Sequence, residues 1–345
     1  MKNGTCDLFL EKLPKAELHI HIEGALEPEQ FLLFAHRNHK QLPLFELLTD
    51  DKSAYRFSDF DSFIKTYLQI TQALCTQQDF YELTLAYLYK ANQQGVRHAE
   101  IFFDLQSYIM RNINPDVVVY GIHKGLLEGF RLYGITGSII LCFLRHLSED
   151  EAFKTFSMIE KNYKKLILII GLAALEKDNP VVKFARVFQK AKKDGYHCVA
   201  HIAELGGPEL IWQALDNVPI DRIDHGIGAA EDVRLMQELV KRKIPLTICP
   251  LSNVMLKACK NLREHPIKIM YEAGILVTIN SDDPAFFKSY IADNYRALRN
   301  NNVLSCPQLI QCARNSIYAS FAQEHRKQEI IAELEVYIKD HSCTK

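Results

Sequence analysis

Eight short apolar runs, each of strand length and each followed by a longer amphipathic stretch, constrain this chain more than any other feature. They are AELHIHIE (16–23), RHAEIFFD (97–104), GSIILCFL (137–144), LILIIGLA (166–173), YHCVAHIAE (196–204), DRIDHG (221–226), IPLTICP (244–250) and LVTINSD (276–282). Most carry Val, Ile, Leu and Phe at consecutive positions, the pattern of strands covered on both faces. The intervening segments have helical spacing and helix punctuation. DFYELTLAYLYKANQQG (79–95) stops at a glycine, and NPVVKFARVFQKAKKDG (179–195) opens on Asn-Pro and closes on a Lys-rich turn before glycine. EDVRLMQELVKRK (231–243) and EHPIKIMYEAG (264–274) repeat the pattern. Strands alternating with helices predict an α/β fold, a (β/α)8 TIM barrel. Residues 24–95 read as a mostly helical insertion after the first strand, and 305–345 as C-terminal helices outside the barrel. No linker or internal repeat divides residues 1–345, so a single domain is expected.

Composition narrows the function. A formal net charge of −1 and no basic block argue against nucleic acid or an anionic membrane as partner. No apolar stretch approaches the ~20 residues of a membrane helix, and the N-terminal residues lack a signal-peptide pattern. Nine cysteines, an odd number with no C-x-x-C pair, lie mostly in apolar runs. A reduced, cytoplasmic enzyme of small molecules is the expectation, with homo-oligomerisation left open.

In barrels of this kind the reactive groups sit at the C-terminal ends of strands. His19 and His21 end the first run, and their i, i+2 spacing points both imidazoles to one face. Two neutral imidazoles on one face make half a site for zinc or another divalent metal, although a pair of histidines on a strand edge reads the same way. His201 ends the fifth run, His225 the sixth, and Asp282-Asp283 the eighth. Adjacent buried carboxylates repel, and one is driven toward protonation unless a cation compensates; a lone Asp-Asp is usually a solvated turn, but His-bearing strand ends at the same rim point to a shared site.

Those strand ends carry a family likeness. ELHIHIEGALEPE (17–29), HIAE (201–204), RIDHG (222–226), CPLSNVML (249–256) and VTINSDDPAFF (277–287) together resemble the adenosine/adenine deaminase family of metal-dependent purine hydrolases. CFLRHLSEDEAF (142–153) and the PELIW run at 208–212 look closer to the adenine branch. The resemblance implies one zinc ion per chain, bound by His19, His21, His201 and Asp282, with a coordination position left for water. It implies that Glu204 protonates a purine ring nitrogen, that His225 orients the attacking hydroxide, and that Asp283 accepts from a protonated N7. Asp224 is expected to be structural, and Ser252 and Asn253 to brace the site. Glu23 stands where nucleoside deaminases carry Asp near the ribose; its longer side chain can fill part of that space, or it is a conservative acidic swap, and the resemblance to the adenine branch implies the free base as substrate. The implied reaction is hydrolysis of adenine to hypoxanthine and ammonia, in purine salvage.

Several positions depart from the family pattern. The familiar HAGE is HIAE here, so a methyl at Ala203 stands where glycine lets the backbone bend. GLAALEKDNP (171–180) replaces a GLD followed by a Ser-Ser-Glu loop, which puts Ala173 in place of an acid and Asp178 near an expected glycine. Leu105 and Tyr108 also differ. These changes motivate two rival readings: deamination of adenosine or an N6-substituted adenine, and a metal-binding paralogue without turnover. The H-x-E and P-C-x-x-C signature of nucleic-acid base deaminases is absent.

Overall fold

The computed structural model describes residues 2–341. Eight parallel strands lie in sequential order: β1 (Lys15–His21), β2 (Val96–Phe103), β3 (Thr136–Leu144), β4 (Ile167–Ala173), β5 (His197–Ile202), β6 (Arg222–His225), β7 (Leu246–Ile248) and β8 (Val277–Ile279). All eight arise from the apolar runs identified in the sequence. The ring closes between β8 and β1, where the His21 amide donates to the Asp282 carbonyl and the Asp282 amide to the His19 carbonyl, both at 3.0 Å. The Asn280 side chain extends that seam by accepting from the Leu18 amide at 2.8 Å. Closure thus ties the end of β1 directly to Asp282.

Helices cover the outside and start where side chains satisfy their free amides. Thr76 with Asp79 and Ser148 with Glu151 form capping boxes for the helices Gln77–Gln93 and Glu149–Asn162. The helix Pro115–Tyr133 lies very close to Gln77–Gln93. A Cβ at Gly121, Gly125 or Gly129 would come within 2.6 Å of Phe80, 2.5 Å of Thr84 or 2.3 Å of Leu88, respectively. Three glycines at i, i+4, i+8 therefore set that spacing.

The insertion after β1 is helical, as expected, with Pro28–Arg37, Leu44–Leu47 and Phe60–Ile70 ahead of Gln77–Gln93. Gln77–Gln93 itself is the barrel's own β1-to-β2 helix, so the true excursion ends near residue 76. At the C-terminus, Cys306–Ala319 and Glu324–Asp340 are helical. The first of them does more than pack outside. Ser316 accepts from the Ala16 amide at 3.0 Å and Asn315 donates to the Val277 carbonyl at 3.0 Å, which reinforces the β8–β1 seam. Phe321 then caps the N-terminal mouth of the barrel, stacked on His197 and under Arg222, whose guanidinium pairs with buried Glu100 at 2.6 Å. That sealed end leaves the C-terminal rim as the open one. A further helix, Lys2–Lys12, precedes β1 and was not foreseen. Among the described residues, no helix is long and apolar enough to cross a membrane.

Candidate active site

The closed strand order brings four expected residues together at the rim. Single ligand atoms of His19, His21, His201 and Asp282 all lie within 4.8 Å of one another, and all four residues are buried. The surrounding hydrogen bonds decide which ring nitrogens are free. His201 Nδ1 is 3.0 Å from the Leu172 carbonyl, which can only accept, so Nδ1 carries the proton and Nε2 keeps its lone pair. Thr247 donates to Asp224 at 2.9 Å, and its oxygen accepts from His19 Nδ1 at 2.9 Å. His19 Nε2 is then left buried without a partner. His21 Nε2 faces His201 Nε2 at 3.0 Å. Asp282 Oδ2 accepts from Ser252 at 2.6 Å, while Oδ1 lies 3.3 Å from His19 Nε2 and 3.5 Å from His21 Nε2. Three imidazole nitrogens and one carboxylate oxygen converge on one point. His19 Nε2 is orphaned, and a proton bridging His21 and His201 is readily exchanged for a cation that all four donors can reach, so the donor set fits a metal ion. Asp224, Thr247 and Ser252 orient those donors, the usual function of groups behind a metal site.

Charge states agree with that fit. Burial lowers His21 to about 4 and His225 to about 3, and burial with the neighbouring imidazoles holds His201 well below its ordinary value. These rings are neutral near pH 7, as ligation requires. Burial opposes ionisation of Asp282, but positive charge at the point where the imidazoles meet, His19 first, holds its carboxyl well below the usual range, and a metal ion there would supply that charge.

His225 has a different role forced on it. The Ile267 amide donates to His265 Nδ1 at 3.1 Å, so His265 Nε2 carries the proton and donates to Asn253 Oδ1 at 3.2 Å. The Asn253 amide nitrogen then donates to His225 Nδ1 at 3.3 Å, which leaves His225 Nε2 protonated. A protonated nitrogen cannot ligate. His225 could also be grouped with Cys249 and Asp282, but burial raises the Cys249 thiol well above its ordinary range, so that trio lacks two donors. His225 Nε2 instead points toward Glu204 Oε2, 3.7 Å away.

Glu204 lies just beyond β5, held there by Ala203 and the 171–180 loop, both noted as departures in the sequence, together with Arg145. Ala203 takes a left-handed backbone, φ +52°, and its amide donates to Glu176 Oε2 at 2.8 Å. Buried Arg145 lies 3.7 Å from Glu176 Oε1, donates to the His201 carbonyl, and donates to the Asn179 carbonyl at 2.9 Å. The altered 171–180 loop thus clamps the turn that carries Glu204. Ala174 and Asp178 also adopt positive φ, +77° and +63°, so that loop keeps a glycine-like path with other residues. The Ala203 methyl does not line the cavity. It lies 3.1 Å from where a Cβ on Gly228 would be, so the missing side chain there makes room for it.

The cavity over this cluster has a volume of about 300 Å³. Its acidic wall includes Glu204, Asp283 and Asp104, and its apolar wall includes Phe60, Phe63, Ile64 and Leu175. Burial, followed by the charges of Asp282 and Glu176, raises Glu204 well above the carboxylate range. Burial and the Asp282 charge do the same to Asp283. Asp283 packs on Gly24, where a Cβ would fall 1.9 Å from its Oδ1. Glu23 does not line the cavity. It lies behind Tyr67 and Asp104, accepting from the Asp104 amide at 3.2 Å and from the hydroxyls of Tyr108 at 3.0 Å and Tyr67 at 3.3 Å. Tyr67, Asp104 and the aromatic wall on Phe60–Ile70 were not singled out from the sequence, which holds no signal for where the insertion folds back.

A parallel barrel with a buried three-His, one-Asp donor cluster at its C-terminal rim, and a buried carboxyl beside it, fits the class of metal-dependent hydrolases. The adenosine deaminase family model matches residues 14–337. Adenine deaminase of Chlorobium phaeobacteroides (strain BS1) is 45% identical over 332 residues, spanning 96% of this chain and 98% of that protein. Adenine deaminase of Hahella chejuensis (strain KCTC 2396) is 43% identical over 96% of this chain and 99% of its own length. The crystal structure of adenine deaminase from Arthrobacter aurescens superimposes with a TM-score of 0.90 at 39% identity, covering 94% of this chain and 99% of that one. The chain belongs to the adenosine deaminase family, and it is a hydrolytic deaminase.

Proposed function

We propose that this enzyme hydrolyses adenine to hypoxanthine and ammonia, as a step of purine salvage, with one zinc ion per chain. The observation that carries the reading is the Glu204–His225–Asp283 arrangement around a three-imidazole, one-carboxylate donor set, in a chain 45% identical to an adenine deaminase. His19, His21, His201 and Asp282 would hold the metal, and nitrogen donors with one carboxylate suit zinc. When bound, the ion makes a water molecule acidic enough to attack at neutral pH. Glu204, which burial keeps protonated, delivers its proton to N1 of the ring and makes C6 electrophilic. The carboxylate left on Glu204 then takes a proton from the attacking water and passes it to the amine, which leaves as ammonia. His225 donates from Nε2 to the oxygen added at C6, in the tautomer that Asn253 and His265 dictate. Asp283 shares a proton with N7. Burial and the Asp282 charge raise the Asp283 carboxyl, which suits a group that shares that proton.

One observation favours a second reading. The apolar wall of Phe60, Phe63, Ile64, Leu68 and Leu256 could accommodate a hydrocarbon group, which suits an N6-substituted adenine. A comparison of kcat/KM for adenine, adenosine and N6-methyladenine, with metal analysis on the same preparation, tests both readings. Adenine is expected to lead, at about one zinc per chain. A clear preference for adenosine would overturn the assignment, and no ammonia from any purine would mean that turnover has been lost.

A further inference from the structure

Glu17 stands two residues before His19 and four before His21, so an unbroken strand would turn all three side chains to one face. The structure separates them. The histidines converge inside the rim, whereas Glu17 faces outward, where Tyr87 of the helix Gln77–Gln93 donates its hydroxyl to Oε2 at 2.7 Å. The reversal comes from the pairing of β1 with β2. Glu17 stands opposite Ala99 and Ile20 opposite Ile101, so β1 advances three residues while β2 advances two. One extra residue in a strand swaps the faces of everything beyond it. The histidines therefore reach the rim because of this bulge, and Glu17 is the fully buried polar side chain at its start.

The other oxygen of Glu17 reaches across the β8–β1 seam. Oε1 accepts from the Ser281 amide at 3.1 Å and from the Ser281 hydroxyl. Ser281 immediately precedes Asp282, whose backbone is left-handed at φ +67°, a conformation that a residue with a side chain keeps where its neighbours impose it. On either side of Ser281 the chain is stitched to the β1 backbone. The Asn280 side chain accepts from the Leu18 amide at 2.8 Å, and the Asp282 amide donates to the His19 carbonyl at 3.0 Å. Between those stitches, the Glu17 side chain holds Ser281.

We propose that Glu17 is a positioning residue for the metal-binding cluster. Its hydrogen bonds go to Ser281 and Tyr87, not to any of the four donors. One carboxyl group anchors both the bulge that turns His19 and His21 inward and the residue before Asp282. It thereby fixes the two imidazoles of β1 against the carboxylate beyond β8, where Asp282 Oδ1 lies 3.3 Å from His19 Nε2. The inference rests on the reading that this cluster holds a metal. Reach is what the position demands, since the side chain must span Ser281 and Tyr87 together. A carboxamide of the same length meets that demand, because the Tyr87 oxygen can accept as well as donate.

The test follows loss of zinc to excess chelator from the zinc-loaded wild type, Glu17→Asp, Glu17→Gln and Ser281→Ala. Each is measured well below the melting temperature of its own chelated form, where a group that only stabilises the fold leaves zinc loss unchanged. Glu17→Asp keeps the acid but is one methylene too short to meet both partners, and is expected to lose zinc about tenfold faster than wild type. Glu17→Gln keeps the reach, with its oxygen toward Ser281 and its amide toward Tyr87, and should stay within about threefold. Ser281→Ala, which retains the amide and loses the hydroxyl, should fall between them at about fivefold. Loss within about threefold of wild type in Glu17→Asp would overturn the inference. So would faster loss in Glu17→Gln than in Glu17→Asp, which would make charge, not reach, the property that matters. If the aspartate variant fails to fold, a wild-type rate in Ser281→Ala overturns the inference equally. A wild type that retains no zinc would instead remove the metal reading, and this inference with it.

Discussion

Replacing Glu204 by Gln separates proton transfer from metal binding. No described group hydrogen-bonds the Glu204 carboxyl, its side chain is 13% exposed, and its nearest charged-type neighbour is His225 Nε2 at 3.7 Å. The substitution keeps shape and volume, breaks no protein contact, and touches none of the four converging donors. What it removes is a transferable proton, worth about 10²- to 10⁴-fold in rate for a positioned acid–base group. The variant is therefore expected to keep its metal and lose about a thousandfold in kcat. It should also be more stable without metal. Glu204 has a folded-state pKa raised above its unfolded value, so its proton favours folding at low pH and the advantage disappears as pH rises through the folded pKa. Each unit of that elevation costs about 1.4 kcal/mol once the pH exceeds the folded pKa. Glutamine carries no such penalty. Chelated Glu204→Gln should then melt about 1–3 °C above chelated wild type at pH 8, with the gap closing toward pH 4. Metal analysis, steady-state kinetics and thermal melts at both pH values provide the readout. Metal loss in the variant would make Glu204 a ligand, and kcat within tenfold of wild type would refute its role as proton carrier.

Two further substitutions examine the neighbouring positions. Asp282→Asn should lower zinc occupancy at least tenfold, by removing a charged donor, whereas Asp283→Asn should keep the metal and lose about 10²-fold in kcat/KM; equal metal loss in both would contradict the division between the twin carboxyls. Ala203→Gly trades relief of a left-handed alanine, about 1–2 kcal/mol, against a lost buried methyl and a more flexible unfolded chain, together of similar size. Stability and kcat/KM should stay within about 1 kcal/mol and twofold, respectively; a tenfold gain in kcat/KM would show that the methyl does crowd the substrate.

Much of this protein was legible in the linear order of its residues. Apolar runs long enough for one strand, separated by capped helical stretches, leave few architectures other than a barrel. The i, i+2 spacing of His19 and His21 needs only the two-residue period of a strand to put both rings on one face. His201, His225 and Asp282 could be recognised because they end such runs, and reactive groups in barrels gather there. Local physics accounts for all of these.

The tertiary structure decided what depends on neighbours distant in sequence. Asp104 and Glu23 are separated by the whole helical insertion, and only the pairing of β1 with β2 brings the Asp104 amide onto the Glu23 carboxyl. His225 became a donor and not a ligand through the Ile267 amide, His265 and Asn253, a relay with no sequence signature. The HIAE turn looked crowded because a positive φ at Ala203 and a missing side chain at Gly228 cannot be read from residue types alone. Residue order determines which groups reach the rim, since strand period and helix length are local properties. Which of them hold protons, and which are left with bare lone pairs, is set by hydrogen bonds that form only when the ring closes.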